Sequence, residues 1–365
     1  MNMRFYLALA CLLTISVPGW AQIPFYAILL PETGMQAGAA EHIRTGLIAA
    51  YYADTQAVPQ RPGLQFYDTD AAPIDAVYQQ AIHDGAQAVI GPLQKDQVTQ
   101  LLHQQTTFPI PTLLLNRAEG PAAINGAWEL SLSPEDEIPA LIQAAHQAGL
   151  HNIAILDDPD PASQLHARHL ADAWLASGGT IALTQTLHAH GHILEDLHNV
   201  LYQPAPPPAH RKRHHHTKIQ PPVRRALDGL FLATGSASGA QIHPSLLHMK
   251  TTLPIYALST AVSLGKGHAD FYDLQDVIYS EIPWLAQPPD DLYHLLTTVD
   301  PMQGSARLRL VALGIDAWQL LRQLSVSPPA WPWKGRTGDL KPEGSLLIRQ
   351  TTLNRVNDGG LEILP

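Results

Sequence analysis

The sequence predicts an α/β protein of two lobes, each a mainly parallel sheet flanked by helices. Short, near-continuous apolar runs such as Phe25 to Leu30 and Asn152 to Leu156 have the character of strands buried on both faces. Between such runs lie segments whose apolar residues recur at helical spacing. The alternation also occurs twice, once over about 23–131 and again over about 132–280. Repeated strand–helix–strand units build parallel sheets with helical crossovers. The 365 residues exceed the size at which one core stops growing.

Taken in order, Phe25 to Leu30 is the first strand. The loop Pro31-Glu32-Thr33-Gly34 then leads into a helix from Ala37 to Tyr52, with Ile43, Leu47 and Tyr51 at helical spacing. Leu64 to Tyr67 is the second strand. Ile74, Val77, Tyr78, Ala81 and Ile82 mark one face of a second helix, closed by Gly85. The strand Ala88 to Ile90, ending at Gly91-Pro92, a helix from Lys95 to Gln104 and a strand from Pro111 to Asn116 complete the first series. The second series opens at Ser133-Pro134-Glu135-Asp136-Glu137, which reads as a helix start. Ser133 caps it, Pro134 takes the first position, and the acids face the helix dipole.

Asn152 to Leu156 is a strand ending in Asp157-Asp158, and Gln164 to Ser177 a helix stopped by Gly178-Gly179. Ile181 to Leu187, Gly229 to Thr234 and Pro254 to Leu258 are further strands. The last section runs through Val277 to Trp284, then a helix with Leu308, Val311, Ile315, Trp318 and Leu321 on one side. It closes with a β-like end, Gly344 to Arg349 and Leu361 to Leu364. Lobe 1 is therefore expected over 22–131, completed by about 282–325, and lobe 2 over 132–281, completed by about 335–365.

The first residues read as an export signal. Arg4 is followed by an apolar run from Phe5 to about Val17, and Gly19 and Ala21 stand where a signal peptidase requires small residues. A signal peptide over 1–21 and a soluble periplasmic mature protein are the expectation. Cys11 is the single cysteine, so a mature chain without it has no disulfide or thiol chemistry. Anchoring as an outer-membrane lipoprotein through Cys11 is the less favoured reading. Ala8 stands where a branched apolar residue is usual, and the apolar run continues past Cys11 through Leu12, Leu13 and Ile15.

The formal net charge of −10 argues against nonspecific nucleic-acid binding. With 45% hydrophobic and 15% charged residues, the composition suits a large core rather than a disordered chain.

Local motifs are sparse. LPETG at Leu30 to Gly34 matches a cell-wall sorting signal, but it lies near the amino end, and we read it as a strand-to-helix loop. His188, His190 and His192 alternate and would share a face on a strand. A polar strand edge is favoured over a metal site there. Pro204 to Arg225, PAPPPAHRKRHHHTKIQPPVRR, is a Pro-, His- and base-rich segment read as a surface loop within lobe 2. Its functional alternatives are contact with an anionic envelope surface or wall polymer, and metal capture by His214, His215 and His216.

Trp331 and Trp333, in a Pro-rich turn, are candidates for a partner contact, against the alternative that they pack on their own domain. No GxSxG elbow, HExxH or GxxxxGK loop is present, so no catalytic residue or cofactor is assigned. Ser236, Ser259, Asp157 and Asp158 lie at strand ends, where both enzymes and binding proteins place their sites.

Several strings in order carry a resemblance. AILLPETGMQAGAAEHIRTGLIAAYY, QFYDT and VYQQAIHDGAQAVIGPLQKDQV resemble the periplasmic-binding-protein type I fold. So do PTLLLNRAE, GLFLATGSASGAQIHPSLL and RLRLVALGIDAWQLL. The combination GPLQKDQV, SPEDE, SEIPWL and TGDL…IRQ resembles the LppC/LpoA family of penicillin-binding protein activators. That resemblance implies a non-enzymatic periplasmic protein that docks on a class A penicillin-binding protein and stimulates peptidoglycan synthesis. It covers nearly the whole chain after the leader and corresponds to the C-terminal domain of longer members, which carry a helical-repeat domain before it.

The alternative is a solute-binding protein for an amino acid or amide, which shares the fold. Its cleft would be lined by Thr33, Gln94, Lys95, Asn116, Thr234 and Ser259. A lysine at position 95 could hold a ligand carboxylate but leaves an ammonium without an acceptor. An α/β-hydrolase-like enzyme is the third reading and has no motif behind it.

Overall fold

Phe25 to Leu30 is wholly buried because the strand it forms lies inside a parallel sheet with helices on both faces. The structure, a computed structural model, describes residues 24–54, 61–120, 124–188, 192–205, 221–265, 268–287, 290–299, 304–327 and 329–364. The expected signal peptide, Cys11, His190 and the His214–His216 cluster lie outside the described residues.

The first series comprises β1 (Phe25–Leu30), α1 (Ala37–Ala53), β2 (Gly63–Asp68), α2 (Ile74–His83), β3 (Ala88–Ile90), α3 (Lys95–Gln104), β4 (Thr107–Leu114) and β5 (Asn125–Leu130). After a 3-10 turn at Pro134–Glu137 the second runs through α4 (Ile138–Gln147), β6 (Asn152–Asp157), α5 (Pro161–Ala176), β7 (Thr180–Thr186) and α6 (Ile193–Leu201). It continues with the ribbon β8 (Tyr202–Gln203) and β9 (Val223–Arg224), then β10 (Gly229–Ala233), α7 (Ser236–His248) and β11 (Ile255–Ala257). A 3-10 turn at Ser259–Ala261, α8 (His268–Asp273) and β12 (Ile278–Glu281) complete it. The chain then forms α9 (Pro283–Ala286), α10 (Asp291–Val299), α11 (Ser305–Leu324), β13 (Trp333–Lys334), β14 (Asp339–Glu343), β15 (Leu346–Gln350), β16 (Thr352–Asn357) and β17 (Gly360–Ile363).

Two large sheets result, ordered β13-β14-β15-β5-β4-β3-β1-β2 and β17-β16-β12-β11-β10-β6-β7. Alternation along the buried strands decides which helices cover each face. In the first lobe Tyr26, Ile28 and Leu30 meet α1 and α11, whereas Phe25, Ala27 and Leu29 meet α2 and α3. In the second, Ala154 and Leu156 face α6 and α7, and Ile153 and Ile155 face α4 and α5. Gly85 and Gly178 sit just past helix ends at φ +89° and +92°, the left-handed conformation that helix stops use.

Parts of the sequence reading need correction. The segment 335–365 does not return as one piece to lobe 2. β14 and β15 extend the first sheet beside β5, and β16 and β17 extend the second beside β12. Burial explains the division: Leu340 and Leu347 enter the first lobe's core, and Val356 enters the second's. Likewise Ser133 does cap, accepting from the Glu135 amide, but it caps a 3-10 turn that turns Glu137 inward.

Of the HAHGH stretch, His188 follows β7 and pairs with buried Asp196 rather than lying on a strand. Its exposed ring is held above its usual pKa by the hydrogen bond to Asp196. Val223 and Arg224, inside the expected loop, pair with β8 instead. Trp331 and Trp333 are half-buried against the first core, and the Trp333 indole donates to Gln323 at 2.9 Å. They pack on their own lobe.

α11 is mounted rigidly on α1. A Cβ at Gly46 would lie 2.0 Å from the Val311 carbonyl oxygen, and one at Gly314 would lie 2.1 Å from that of Ile43. The two helices touch backbone to backbone. Gly314→Ala is expected to cost about 1–3 kcal/mol by overpacking, read as a lower urea midpoint. An unchanged midpoint would show that the helices part freely.

Candidate functional site

The lobes face each other across a cleft of about 900 Å³ at the carboxyl ends of their strands. Lys95, Asn116, Arg117 and Glu119 line it from the first lobe, Glu135 from the passage into the second, and His166 and His169 from α5 of the second. Lys95 lies 3.7 Å from Glu119, and His169 lies 2.8 Å from Glu135. Burial holds the His166 ring below its usual pKa, with Glu135 acting against it.

The residues expected to line the cleft separate into three places. Lys95 and Asn116 do line it. Thr33 and Gln94 instead meet at Asp70, whose carboxylate accepts from Gln94 Nε2 at 3.1 Å and from Thr33 Oγ1 at 3.4 Å. Thr234 is buried behind the end of β10, its hydroxyl without a hydrogen-bond partner. Ser259 is buried in a cluster of charges.

That cluster sits where the chain passes between lobes. The passages are three: from β5 into α4, from β12 towards α11, and from β15 into β16. Glu137, in the first passage, accepts from the Ser259 amide at 2.8 Å and its hydroxyl at 2.6 Å. Glu281, at the second, is held by Arg309 through two parallel bonds of 2.8 and 2.7 Å. Arg309 also donates to the Ser259 and Val262 carbonyls at 2.8 and 3.0 Å. Arg349, at the third, donates to the Ser133 carbonyl at 2.9 Å and lies 3.4 Å from Asp136 and 3.8 Å from Glu137. Arg117 joins from the cleft, 2.5 Å from Asp136.

Environment sorts these groups. Burial pushes the Glu137 carboxyl up to about 7, against the lowering pull of Arg349, Ser259 and Arg309. Burial lowers Arg349, whose partners only partly restore it. For Arg309 burial also works against the charge, but Glu281 more than compensates and holds the guanidinium above its usual range. Burial and Glu281 hold the Tyr279 hydroxyl well above its own. Next to the cluster, buried Asp316 of α11 accepts from the Arg336 and Thr337 amides at 2.8 and 2.7 Å. It thereby fixes the loop before β14 to the helix.

The arrangement binds lobe to lobe. Ser259 serves as a donor and a backbone acceptor within it. Among the described residues no group of three His, Cys, Asp or Glu side chains is placed to hold a metal ion, and no helix is long and apolar enough to cross a membrane.

Sequence reasoning gave Asp136 and Glu137 a helix-start role alone and did not single out Arg117, Glu281, Arg309 or Arg349. Yet they occupy NRAE, SPEDE, SEIPWL, RLRL and IRQ, the strings that carried the resemblance. A charge embedded in a string that otherwise reads as strand end or core helix was the available signal.

Comparison with known proteins agrees with the architecture. The family model described as LppC putative lipoprotein matches residues 4–350. The penicillin-binding protein activator LpoA of Klebsiella pneumoniae is 27% identical over 302 residues, covering 79% of this chain and 42% of that protein. That of Vibrio antiquarius is 26% identical over 338 residues, covering 89% and 55%. The chain thus spans about half the length of these curated relatives.

Among solved structures, the C-domain of Haemophilus influenzae LpoA, described as a regulator of PBP1A, superposes with a TM-score of 0.69 at 20% identity. It covers 93% of this chain and 99% of that one. A branched-chain amino acid ABC transporter protein from Chromobacterium violaceum, itself a tentative assignment, gives 0.64 at 26% identity, covering 90% and 99%. The fold is therefore shared with an LpoA domain and with an ABC transporter protein, and the match over residues 4–350 places this chain in the LppC family.

Proposed function

We propose that this chain is a non-enzymatic regulator that works in the periplasm, where it binds a class A penicillin-binding protein and stimulates peptidoglycan synthesis. The observation that carries the reading is the LppC family match over residues 4–350. The named relatives are activators, and a structure of the same extent as this fold is described as a regulator of PBP1A. The cleft supports it too. Arg117 reaches from it to Asp136, and Ser259, expected to meet a solute, is engaged by Glu137 and Arg309. Regulation by contact requires tighter binding to the active state of the synthase than to its resting state.

The test is to pass the protein over immobilised class A penicillin-binding protein from the same cell and to assay glycan polymerisation and cross-linking with and without it. Saturable binding with raised synthesis is expected. Absence of both, together with calorimetric binding of an amino acid, would replace this reading with the solute-binding one.

A further inference from the structure

We propose that the buried arginines and carboxylates at the passages form a latch that fixes the angle between the lobes without a ligand. In two-lobed binding proteins hinge closure is driven by the solute. Here the chain's own side chains make the bridging contacts.

Both principal arms are mounted on rigid parts of the first lobe. Arg309 projects from α11, which touches α1 backbone to backbone at Gly46 and Gly314. Arg349 projects from β15, hydrogen-bonded into the first sheet beside β5. Both reach groups on the way into, or inside, the second lobe. Arg309 grips Glu281 at the end of β12 and two carbonyls of the turn after β11. Arg349 grips the Ser133 carbonyl and faces Asp136 and Glu137.

The contacts are dry: the Arg309 and Glu281 side chains are 8% and 1% exposed, and those of Arg349 and Asp136 are 2% each. Glu137 couples the two arms. It holds the Ser259 segment whose carbonyl Arg309 grips, and it faces Arg349. Three arginines, Arg117, Arg309 and Arg349, meet three carboxylates, Asp136, Glu137 and Glu281. Opening the lobes would part these pairs and leave their charges incompletely matched, so one angle is strongly preferred.

The test measures that angle. Spin labels on exposed Gln79→Cys of α2 and Ala176→Cys of α5, in a full chain carrying Cys11→Ser, report the inter-lobe distance by pulsed electron resonance. The background chain is expected to give one narrow distribution, unmoved by free amino acids. Replacing the pair together, Arg309→Met with Glu281→Met, removes the grip without leaving a lone buried charge, and the distribution is expected to gain a longer mode. Arg309→Lys keeps the charge but loses the two-pronged geometry and is expected to do the same. A narrow, unshifted distribution in either variant, with native circular dichroism, overturns the latch. If the double variant does not fold, the lysine variant decides.

Discussion

Arg309→Met alone is expected to destabilise the protein by about 3–5 kcal/mol, the cost of breaking a buried ion pair by removing one partner. The cause is less the lost attraction than what stays behind. Glu281 is 1% exposed and would be left, among the described residues, with the Tyr279 hydroxyl at 3.1 Å and the Ile282 amide. The Ser259 and Val262 carbonyls would lose their donor as well. Adding Glu281→Met should recover much of the loss, because paired apolar side chains of similar volume often replace a buried ion pair at little cost. The measurement is a double-mutant cycle in urea. Additive single and double effects would sink the claim that the two residues act as a pair.

The second large effect is a pH dependence centred on Glu137. Its carboxyl is raised by burial from the ordinary 4.5 to about 7. The groups facing it are Arg349 of β15, Arg309 of α11 and Ser259 after β11, with Asp136 and its arginine Arg117 alongside; His166 and His169 of α5 turn to Glu135 instead. The sign follows from linkage. Between 4.5 and about 7 the folded protein holds a proton at Glu137 that the unfolded chain has released. Its contribution to stability is therefore largest below 4.5 and falls as pH rises through the folded value, flattening above about 7.

The total is about 3 kcal/mol, from roughly 1.4 kcal/mol per unit. Glu137→Gln removes the titration. The stability of wild type minus that of the variant should fall across this window, which isolates Glu137 from Asp316, another carboxyl raised by burial. A difference that does not change with pH would falsify the assignment.

What the sequence made legible follows from how far each signal reaches along the chain. β1, β3, β6 and β10 are apolar on both faces, so composition alone marks them. α3 was delimited at Lys95 and Gln104 because its apolar residues keep one helical stripe. β5, β14 and β16 carry no such local mark. They are short and mixed, and their membership depends on distant partners: Ser345 bonds Glu129, 216 residues away. Local periodicity states a strand's faces but not its neighbour.

The cluster was hidden for a related reason. Asp136 and Glu137 satisfy the rule for acids at a helix start, and the rule explains them so well that nothing invites a second role. Arg309 lies next to Leu308 on a helix expected to bury one stripe. α11 buries more than that, with Arg309 and Asp316 among its covered residues.

The division of the C-terminal segment between the sheets bears on the order of assembly. The first sheet waits for β14 and β15, and the second for β16 and β17, all far along the chain from the strands they join. Until then Glu129 lacks Ser345, and Asp136 lacks the amide and side chain of Arg349. Neither half closes before residues 339–363 are made, although domains ordinarily fold as units from the amino end. The two lobes therefore complete together rather than one after the other.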